Sequence, residues 1–161
     1  MAVIALGANL PSKSGPPAAT LRAALARLQA RGLHIVAVSS FYQTPAWPDP
    51  ADPSFVNAVA IVDTKLQPAE LLGLLHEVET EYGRLRSVPN SPRTLDIDVI
   101  DHDGAVMSGP LHLPHPRLAE RSFVLVPLAE IAPGWRHPVT GATAAELLAR
   151  LPDRDVPERL P

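Results

Sequence analysis

Apolar and polar residues recur along the first half of the chain with the periods of strands and helices. Apolar runs typical of strands occupy residues 3–6, 33–42 and 55–64. A proline-rich loop at 44–54 separates the last two, which favours an antiparallel connection. Leucines lie three or four residues apart in 18–31 and 68–82, each with proline at or just before its start and glycine after its end. Both segments are therefore predicted helices.

The second half of the chain carries one clear strand and several shorter elements. Leu95, Ile97 and Val99 alternate with polar residues and predict a strand with one face on a core. We also predict a hairpin turn at 101–104, a strand at 123–127, and short helices near 128–132 and 143–151. The order strand–helix–strand–strand–helix–strand is that of the ferredoxin-like α+β sandwich, an antiparallel sheet with helices on one face. We expect that fold with an additional C-terminal strand and short helices, which leaves the other sheet face free for a site.

The composition narrows the class of protein. The 161 residues are expected to form one domain over 1–161, and a hydrophobic content of 46% is that of a folded chain. A net charge of -3 offers no basic excess for nucleic acid, and the lack of cysteines excludes disulfides and thiolate metal sites. No apolar stretch has the length of a membrane span and the N-terminus has no signal-peptide pattern, so we expect a cytoplasmic protein.

Two acids stand close together in the segment PRTLDID. In an extended chain Asp96 and Asp98 project from the same side, with Cα atoms about 6–7 Å apart. Such a pair can ligate Mg²⁺, or two ions about 3.5–4 Å apart that clamp a transferring phosphoryl group; a solvated strand face is the alternative of equal weight. The segment leading into the pair contains Arg84, Arg86 and Arg93. Because guanidinium groups match phosphate oxygens, these arginines favour a polyphosphate site.

A second cluster of polar residues lies in LPHPRLAERSFVL at 113–125. His115 stands between two prolines, which restrict its backbone. Together with Arg117 and Arg121 it is a candidate to supply hydrogen-bond donors or positive charge around phosphates. No role is assigned to the other histidines, which lack metal-ligand spacing: His34, His76, His102, His112 and His137.

A third candidate is a pocket for a flat ligand. Phe55 and Asn57 share one face of a predicted strand, and an aromatic plane beside an amide suits a planar heterocycle. Phe123 is a candidate for the second plane, with ordinary core packing as the alternative for each phenylalanine. GANLPSKS at 7–14 is similar to a phosphate-binding loop, but Pro11 has no N–H to offer a phosphate. A strand-ending turn is the favoured interpretation there.

Six blocks of the chain form an ordered series. They are GAN at 7–9, FYQTP at 41–45, FVNAV at 55–59, VETEYGRLR at 78–86, PRTLDID at 92–98 and LPHPRLAERSFVLVPLAEIAP at 113–133. The series resembles the 6-hydroxymethyl-7,8-dihydropterin pyrophosphokinase family. The resemblance implies transfer of pyrophosphate from ATP to the hydroxymethyl group of the pterin, a folate-pathway step that releases AMP. It further implies direct in-line attack, two Mg²⁺ ions, ATP as co-substrate, and a monomer.

The resemblance also implies roles for individual residues. Asp96 and Asp98 match the metal-binding pair, and Arg84 and Arg93 are implied to share in catalysis. The residues implied to bind the pterin are Thr44, Phe55, Asn57, Glu79 and Phe123. The residues implied to contact ATP are Arg84, Arg86, Arg93, His115 and Arg121.

The chain departs from the family's usual pattern in two regions. Pro89, Asn90 and Ser91 replace an Arg-Trp-Gly that family members often carry, and Pro110 and His112 replace an arginine and a threonine. Nucleotide contacts at these positions are not carried over. Two other classes of function remain open from the residues alone. One is a ferredoxin-like ligand-binding module, and the other is a metal-dependent phosphohydrolase that uses the same acid pair with water.

Overall fold

The computed structural model describes residues 1–46, 48–84, 92–152 and 156–161. Within these residues six strands form one sheet, accompanied by four α-helices. The elements in chain order are β1 Ala2–Ala8, α1 Pro17–Ala30, β2 His34–Val38, β3 Tyr42–Thr44, β4 Phe55–Asp63, α2 Pro68–Glu81, β5 Asp96–His102, α3 Ser122–Ile131, α4 Ala144–Ala149 and β6 Glu158–Arg159. A 3₁₀ turn at Leu118–Glu120 precedes α3.

The sheet is antiparallel in every pair of strands. Its order is β5-β1-β4-β3-β6, and β2 pairs with the part of β4 that β3 leaves uncovered. The elements β1, α1, β2, β4, α2 and β5 therefore occur in the predicted ferredoxin-like sequence, and the α+β prediction is confirmed.

The run predicted as one strand at 33–42 forms two strands, β2 and β3. Between them the Ser39 N–H still donates to the Val59 carbonyl at 2.9 Å. The Val59 N–H, however, donates to the Ser39 hydroxyl at 3.0 Å instead of to a backbone carbonyl. A side chain thus replaces one bond of the ladder at this point, and the register shifts before Tyr42 begins β3.

One face of the sheet packs against α1 and α2. Alternate residues of β1 point toward these helices, as Ile4 and Leu6 show, and both are almost fully buried. Leu95, Ile97 and Val99 enter the same core, as predicted from their alternation with polar residues. Strand β5 is thereby anchored on its apolar side and its acids are turned to the opposite face.

The opposite face is covered at one end by α3 and α4. The prediction of a strand at 123–127 is wrong, because these residues lie inside α3. Val124, Leu125 and Leu128 bury one side of this helix in a second core that also holds residues of β1 and β4. The expectation that this whole face is free is also wrong, since only the end near Gly7 and Asp96 remains open. The helices predicted near 128–132 and 143–151 correspond to the end of α3 and to α4.

Two short segments behave largely as predicted. At 101–104 the chain turns through left-handed Asp103 and Gly104, although within 92–152 no sheet strand returns beside β5. Ser12 and Gly15 exchange backbone hydrogen bonds of 2.9 and 3.0 Å, so the segment that is similar to a phosphate loop is a turn after β1. No helix in the described residues is both long and apolar enough to cross a bilayer.

Candidate active site

The open end of the sheet forms the floor of a cavity of about 710 Å³. Register places Gly7 of β1 between Asn57 of β4 and Asp96 of β5, and Ala5 beside Asp98. These side chains share one face because strand residues two apart point the same way. The loop after β3 and the segment at 115–124 form the walls. The site is therefore built across three adjacent strands, β4, β1 and β5, rather than on one loop.

Asp96 is held by two arginines. Arg84 Nη1 donates to one carboxylate oxygen at 2.6 Å, and Arg93 Nη1 donates to the other at 3.1 Å. Burial raises the pKa of Asp96, but the Arg84 hydrogen bond and the charges of both arginines outweigh it, so the pKa is lowered. Asp96 is consequently a carboxylate at neutral pH, oriented from both sides.

Glu79 supports this arrangement from beneath. It is 1% exposed, and its Oε2 accepts from the Ile97 N–H at 2.8 Å and from Arg84 Nη1 at 3.3 Å. Arg84 is further held by a 3.1 Å bond to the Leu95 carbonyl. Glu79 is not among the residues that line the cavity, and the pterin-binding role implied for it stays a prediction. Its position in α2 within the apolar stripe of Leu75 and Val78 was the sequence signal of a buried, paired acid.

Asp98 has looser partners than Asp96. Arg121 Nη1 lies 3.7 Å and His115 Nε2 lies 3.9 Å from its Oδ2. Both distances exceed those of a hydrogen bond. Burial and the neighbouring charge of Asp96 raise the pKa of Asp98 to about 6. A cation placed between the two acids would relieve this repulsion, so Asp98 is the more available ligand of the pair.

His115 faces Asp98 as a neutral donor. Its Nδ1 accepts a hydrogen bond from the Arg117 N–H at 3.1 Å, which leaves the ring proton on Nε2 toward the acid. Burial and the charge of Arg121 lower the pKa of His115 to about 4. The backbone N–H of His115 donates to the Ile100 carbonyl at 2.9 Å, and this bond holds the segment against β5. Of the two roles predicted for His115, the structure favours the donor over the cation.

The other end of the cavity combines an amide with two aromatic rings. Asn57 Nδ2 donates to the Thr44 hydroxyl at 3.0 Å, and both residues are buried. Phe55 and Phe123 also line the cavity. The guanidinium groups of Arg93 and Arg121 lie 5.6 and 5.5 Å from the centres of these rings, respectively. Each ring therefore contacts one of the arginines that surround the acids, so the aromatic end of the cavity adjoins its cationic end.

The acid pair is the candidate for the protein part of a metal site. Among the described residues there is no cluster of three or more histidines and acids that could hold a metal. Mg²⁺ commonly takes only one or two carboxylates and completes its shell with water and substrate phosphates. Asp96 and Asp98, on one face and surrounded by phosphate-compatible donors, fit that ion.

Most of the predicted site residues meet in this cavity. Those that line it are Thr44, Phe55, Asn57, Arg84, Arg93, Asp96, Asp98, His115, Arg121 and Phe123, together with Arg117. Arg86 and the departures at 89–91 lie outside the described residues. Pro110 and His112 are exposed and do not line the cavity. The sequence predicted only a strand-ending turn at Gly7 and assigned no binding or catalytic role to Gly7 or Asn9, although both stand in the GAN block at the end of β1.

Comparison with known proteins agrees with this geometry. Residues 3–133 match the family described as 7,8-dihydro-6-hydroxymethylpterin-pyrophosphokinase. The 2-amino-4-hydroxy-6-hydroxymethyldihydropteridine pyrophosphokinase of Methylorubrum extorquens is 43% identical over 152 residues, which are 93% of this chain and 92% of that protein. The protein of that name from Pseudomonas aeruginosa is 39% identical over 160 residues, 98% of this chain and 95% of that one.

The fold has counterparts among solved structures. The crystal structure of wild-type HPPK-DHPS from Plasmodium falciparum superposes with a TM-score of 0.71 at 15% identity over 92% of this chain. This chain covers 40% of that longer one, so the likeness concerns the fold of a part of it. The match to the family over most of the chain is the decisive finding. The chain belongs to the 7,8-dihydro-6-hydroxymethylpterin-pyrophosphokinase family.

Proposed function

We propose that this chain catalyses the reaction of its family at the described cavity, transferring pyrophosphate from ATP to the hydroxymethyl group of 6-hydroxymethyl-7,8-dihydropterin. The observation that carries the proposal is the row Asn57–Gly7–Asp96 across three adjacent strands. It places an amide beside two aromatic rings at one end of the cavity and an arginine-lined acid pair at the other. A planar alcohol and a polyphosphate can therefore meet above the acids.

Asn57, Thr44 and the two rings bind the pterin. A pterin presents alternating donors and acceptors along one edge, which an amide can match, since it both donates and accepts. The Asn57 amide is oriented by Thr44, so it is held ready for that edge. Phe55 and Phe123 contribute the apolar faces for the flat ring.

The cations bind and neutralise the triphosphate. Arg84 and Arg93 orient Asp96 in the structure described, and Arg121 and His115 lie on the side of Asp98. All four side chains line the cavity, where they can bind equatorial phosphate oxygens, an interaction that contributes of order 10³-fold or more for a well-placed arginine. Asp96 and Asp98 would hold two Mg²⁺ ions, which would supply charge neutralisation to the polyphosphate and acidify the attacking alcohol.

The transfer proceeds by one displacement without an enzyme-bound intermediate. The hydroxymethyl oxygen attacks the β-phosphorus of ATP in line, the bond from that phosphorus to the α,β-bridging oxygen breaks, and AMP leaves with that oxygen. The alcohol proton is lost to solvent. Positioning and charge neutralisation supply the rate in such a reaction, because little covalent chemistry is asked of the protein. Glu79 acts as a positioning residue that holds Arg84. The chain works as a monomer.

An assay of AMP release from ATP tests the proposal. The wild-type chain is expected to form AMP and pterin diphosphate only with both Mg²⁺ and the pterin, and Asp98→Ala to lose turnover and Mg²⁺-dependent ATP binding while circular dichroism stays unchanged. The control is Asp63→Ala, which removes an exposed acid at the far end of β4. Phosphate release without pterin would support the phosphohydrolase instead. A lack of Mg²⁺-dependent nucleotide binding by calorimetry would support the binding module.

A further inference from the structure

Asn9 is a buried polar residue at the end of β1 that contacts two separate loops. It is 3% exposed. Its side-chain Nδ2 donates to the Pro53 carbonyl at 3.0 Å, and its Oδ1 accepts from the Arg93 N–H at 2.8 Å. Both ends of one amide are therefore used, one on the proline-rich loop before β4 and the other on the segment before β5.

The contact with Arg93 is reinforced through the backbone. The Arg93 carbonyl accepts hydrogen bonds from the N–H groups of Asn9 and Leu10, each at 3.1 Å. The backbone of Arg93 is thus held on both its donor and its acceptor side by the end of β1. These bonds fix where the Arg93 side chain starts, and its guanidinium donates to Asp96 Oδ2 at 3.1 Å.

The contact with Pro53 fixes the approach to the aromatic end. Pro53 precedes Phe55, the first residue of β4, by two positions. The centre of the Phe55 ring lies 5.6 Å from the guanidinium of Arg93. Asn9 therefore joins the segment that contains Arg93 to the loop that leads into Phe55, and these two side chains are in contact where the aromatic and cationic ends of the cavity join.

We propose that Asn9 is a positioning residue that sets Arg93 and Phe55 relative to each other, and so aligns the two substrates. Asn9 does not line the cavity, so it acts through these two residues. The inference rests on the proposed function, because the benefit of this alignment is the approach of the alcohol to the phosphorus. A misplacement of about 1 Å in such a site can cost roughly 100-fold in rate.

Kinetics of Asn9→Ala test the inference. We expect kcat/KM to fall about 10- to 100-fold, with KM rising for both ATP and the pterin. The matched control is Ser39→Ala, which removes another buried polar side chain that bonds to the same sheet, away from the cavity. Ser39→Ala is expected to change kcat/KM less than twofold at a temperature where both variants are folded.

A double-substitution cycle separates positioning from a loss of folded protein. In an Arg93→Ala background the backbone bonds to Asn9 can still form, but the guanidinium that Asn9 positions is gone. Asn9→Ala is then expected to leave KM for ATP within about twofold of the Arg93→Ala value. If Asn9→Ala instead lowers kcat/KM by the same factor in both backgrounds, Asn9 is only structural and the inference is overturned.

An NMR measurement gives a readout that does not depend on turnover. Because the Arg93 guanidinium lies 5.6 Å from the centre of the Phe55 ring, we expect a ring-current shift of the Arg93 side-chain resonances that collapses in Asn9→Ala and persists in Ser39→Ala. Persistence of the shift in Asn9→Ala would overturn the inference even if activity falls. If the wild-type chain forms no AMP although the shift behaves as expected, the proposed function fails while the positioning of Arg93 on Phe55 by Asn9 stands.

Discussion

At the scale of single residues, the lack of a side chain at Gly7 determines how the Asn57 amide can be oriented. Gly7 lies between Asn57 and Asp96 in the sheet, and a Cβ at this position would come within 2.7 Å of Asn57 Oδ1. Because the Asn57 amide is also bound to Thr44, it cannot move aside without losing that bond. The glycine therefore makes room for the orientation of the amide that we propose binds the pterin.

Gly7→Ala is expected to weaken pterin binding while the fold persists. Loss of one well-oriented hydrogen bond of about 1.4 kcal/mol predicts a roughly tenfold rise in KM for the pterin and little change in KM for ATP. Gly73→Ala is the matched control, because a Cβ there meets nothing within 4 Å and an alanine favours helix α2. A rise in both KM values, or an equal effect of Gly73→Ala, would argue against this role of Gly7.

Burial and pairing at the residue scale were only partly predictable from the sequence. The alternation around Asp96 and Asp98 predicted correctly that they share a face opposite Ile97. The opposite pKa shifts of the two acids were not predictable. They arise because Arg84 and Arg93 donate hydrogen bonds to Asp96, whereas Arg121 lies 3.7 Å from Asp98. Likewise, the residues of the GAN block could be matched to a family, but the two loops that Asn9 joins are brought together only by the fold.

At the scale of elements, the strand predicted at 123–127 is a helix in the structure, and the prediction failed because its apolar run has no clear period. Phe123, Val124, Leu125 and Val126 form a continuous apolar run, which does not distinguish a buried strand from a buried helix. Pro127 is also unfavourable inside a helix, because it has no N–H to donate to the carbonyl four residues earlier. The packing of Val124, Leu125 and Leu128 against the second core outweighs that loss. Longer segments with a clear period, such as α1 and α2, were predicted to within one residue at their ends.

Helix α3 is joined to the strand beside the site by one carboxylate. Glu130 accepts hydrogen bonds from the Tyr42 hydroxyl at 2.6 Å and from the Ser40 N–H at 2.8 Å. Burial raises the pKa of Glu130, but these bonds and the charge of Arg159 on β6 outweigh it and lower the pKa. A group whose pKa is lower in the folded state stabilises that state above its unfolded pKa, and this contribution is lost as the pH falls through the folded value.

Glu130→Gln is therefore expected to destabilise the protein at neutral pH and not in acid. We expect a loss of about 1 kcal/mol in the free energy of unfolding at pH 7, because the residue is largely exposed and its charged bonds are screened. The difference from wild type should shrink toward zero near pH 3, as measured by urea denaturation. Glu146→Gln, on the exposed side of α4, provides the control. A difference independent of pH would mean that the charge of Glu130 does not contribute.

At the scale of the whole molecule, repulsion within the acid pair lowers the stability of the metal-free fold. The sheet core holds β5 in place regardless of what its other face carries, so the fold tolerates an unfavourable charge at the open end. At neutral pH, above its raised pKa of about 6, Asp98 is ionised beside Asp96, with its side chain only partly exposed. The metal-free molecule therefore carries electrostatic strain that a bound cation would remove.

Asp98→Asn is expected to change stability in opposite directions without and with ligand. With EDTA at pH 7.5, the variant should be more stable than wild type by about 1–2 kcal/mol, the effect of the pKa shift discounted for partial exposure. With Mg²⁺ and a non-hydrolysable ATP analogue at 100 times its Kd, wild type should gain about 2.7 kcal/mol and the variant much less. Urea denaturation under both conditions measures this, with Asp63→Asn as the control acid. A variant less stable than wild type in EDTA would show that the charge of Asp98 does not destabilise the metal-free fold. A gain from the ligand equal to that of wild type would show that Asp98 does not contribute to binding of metal and nucleotide.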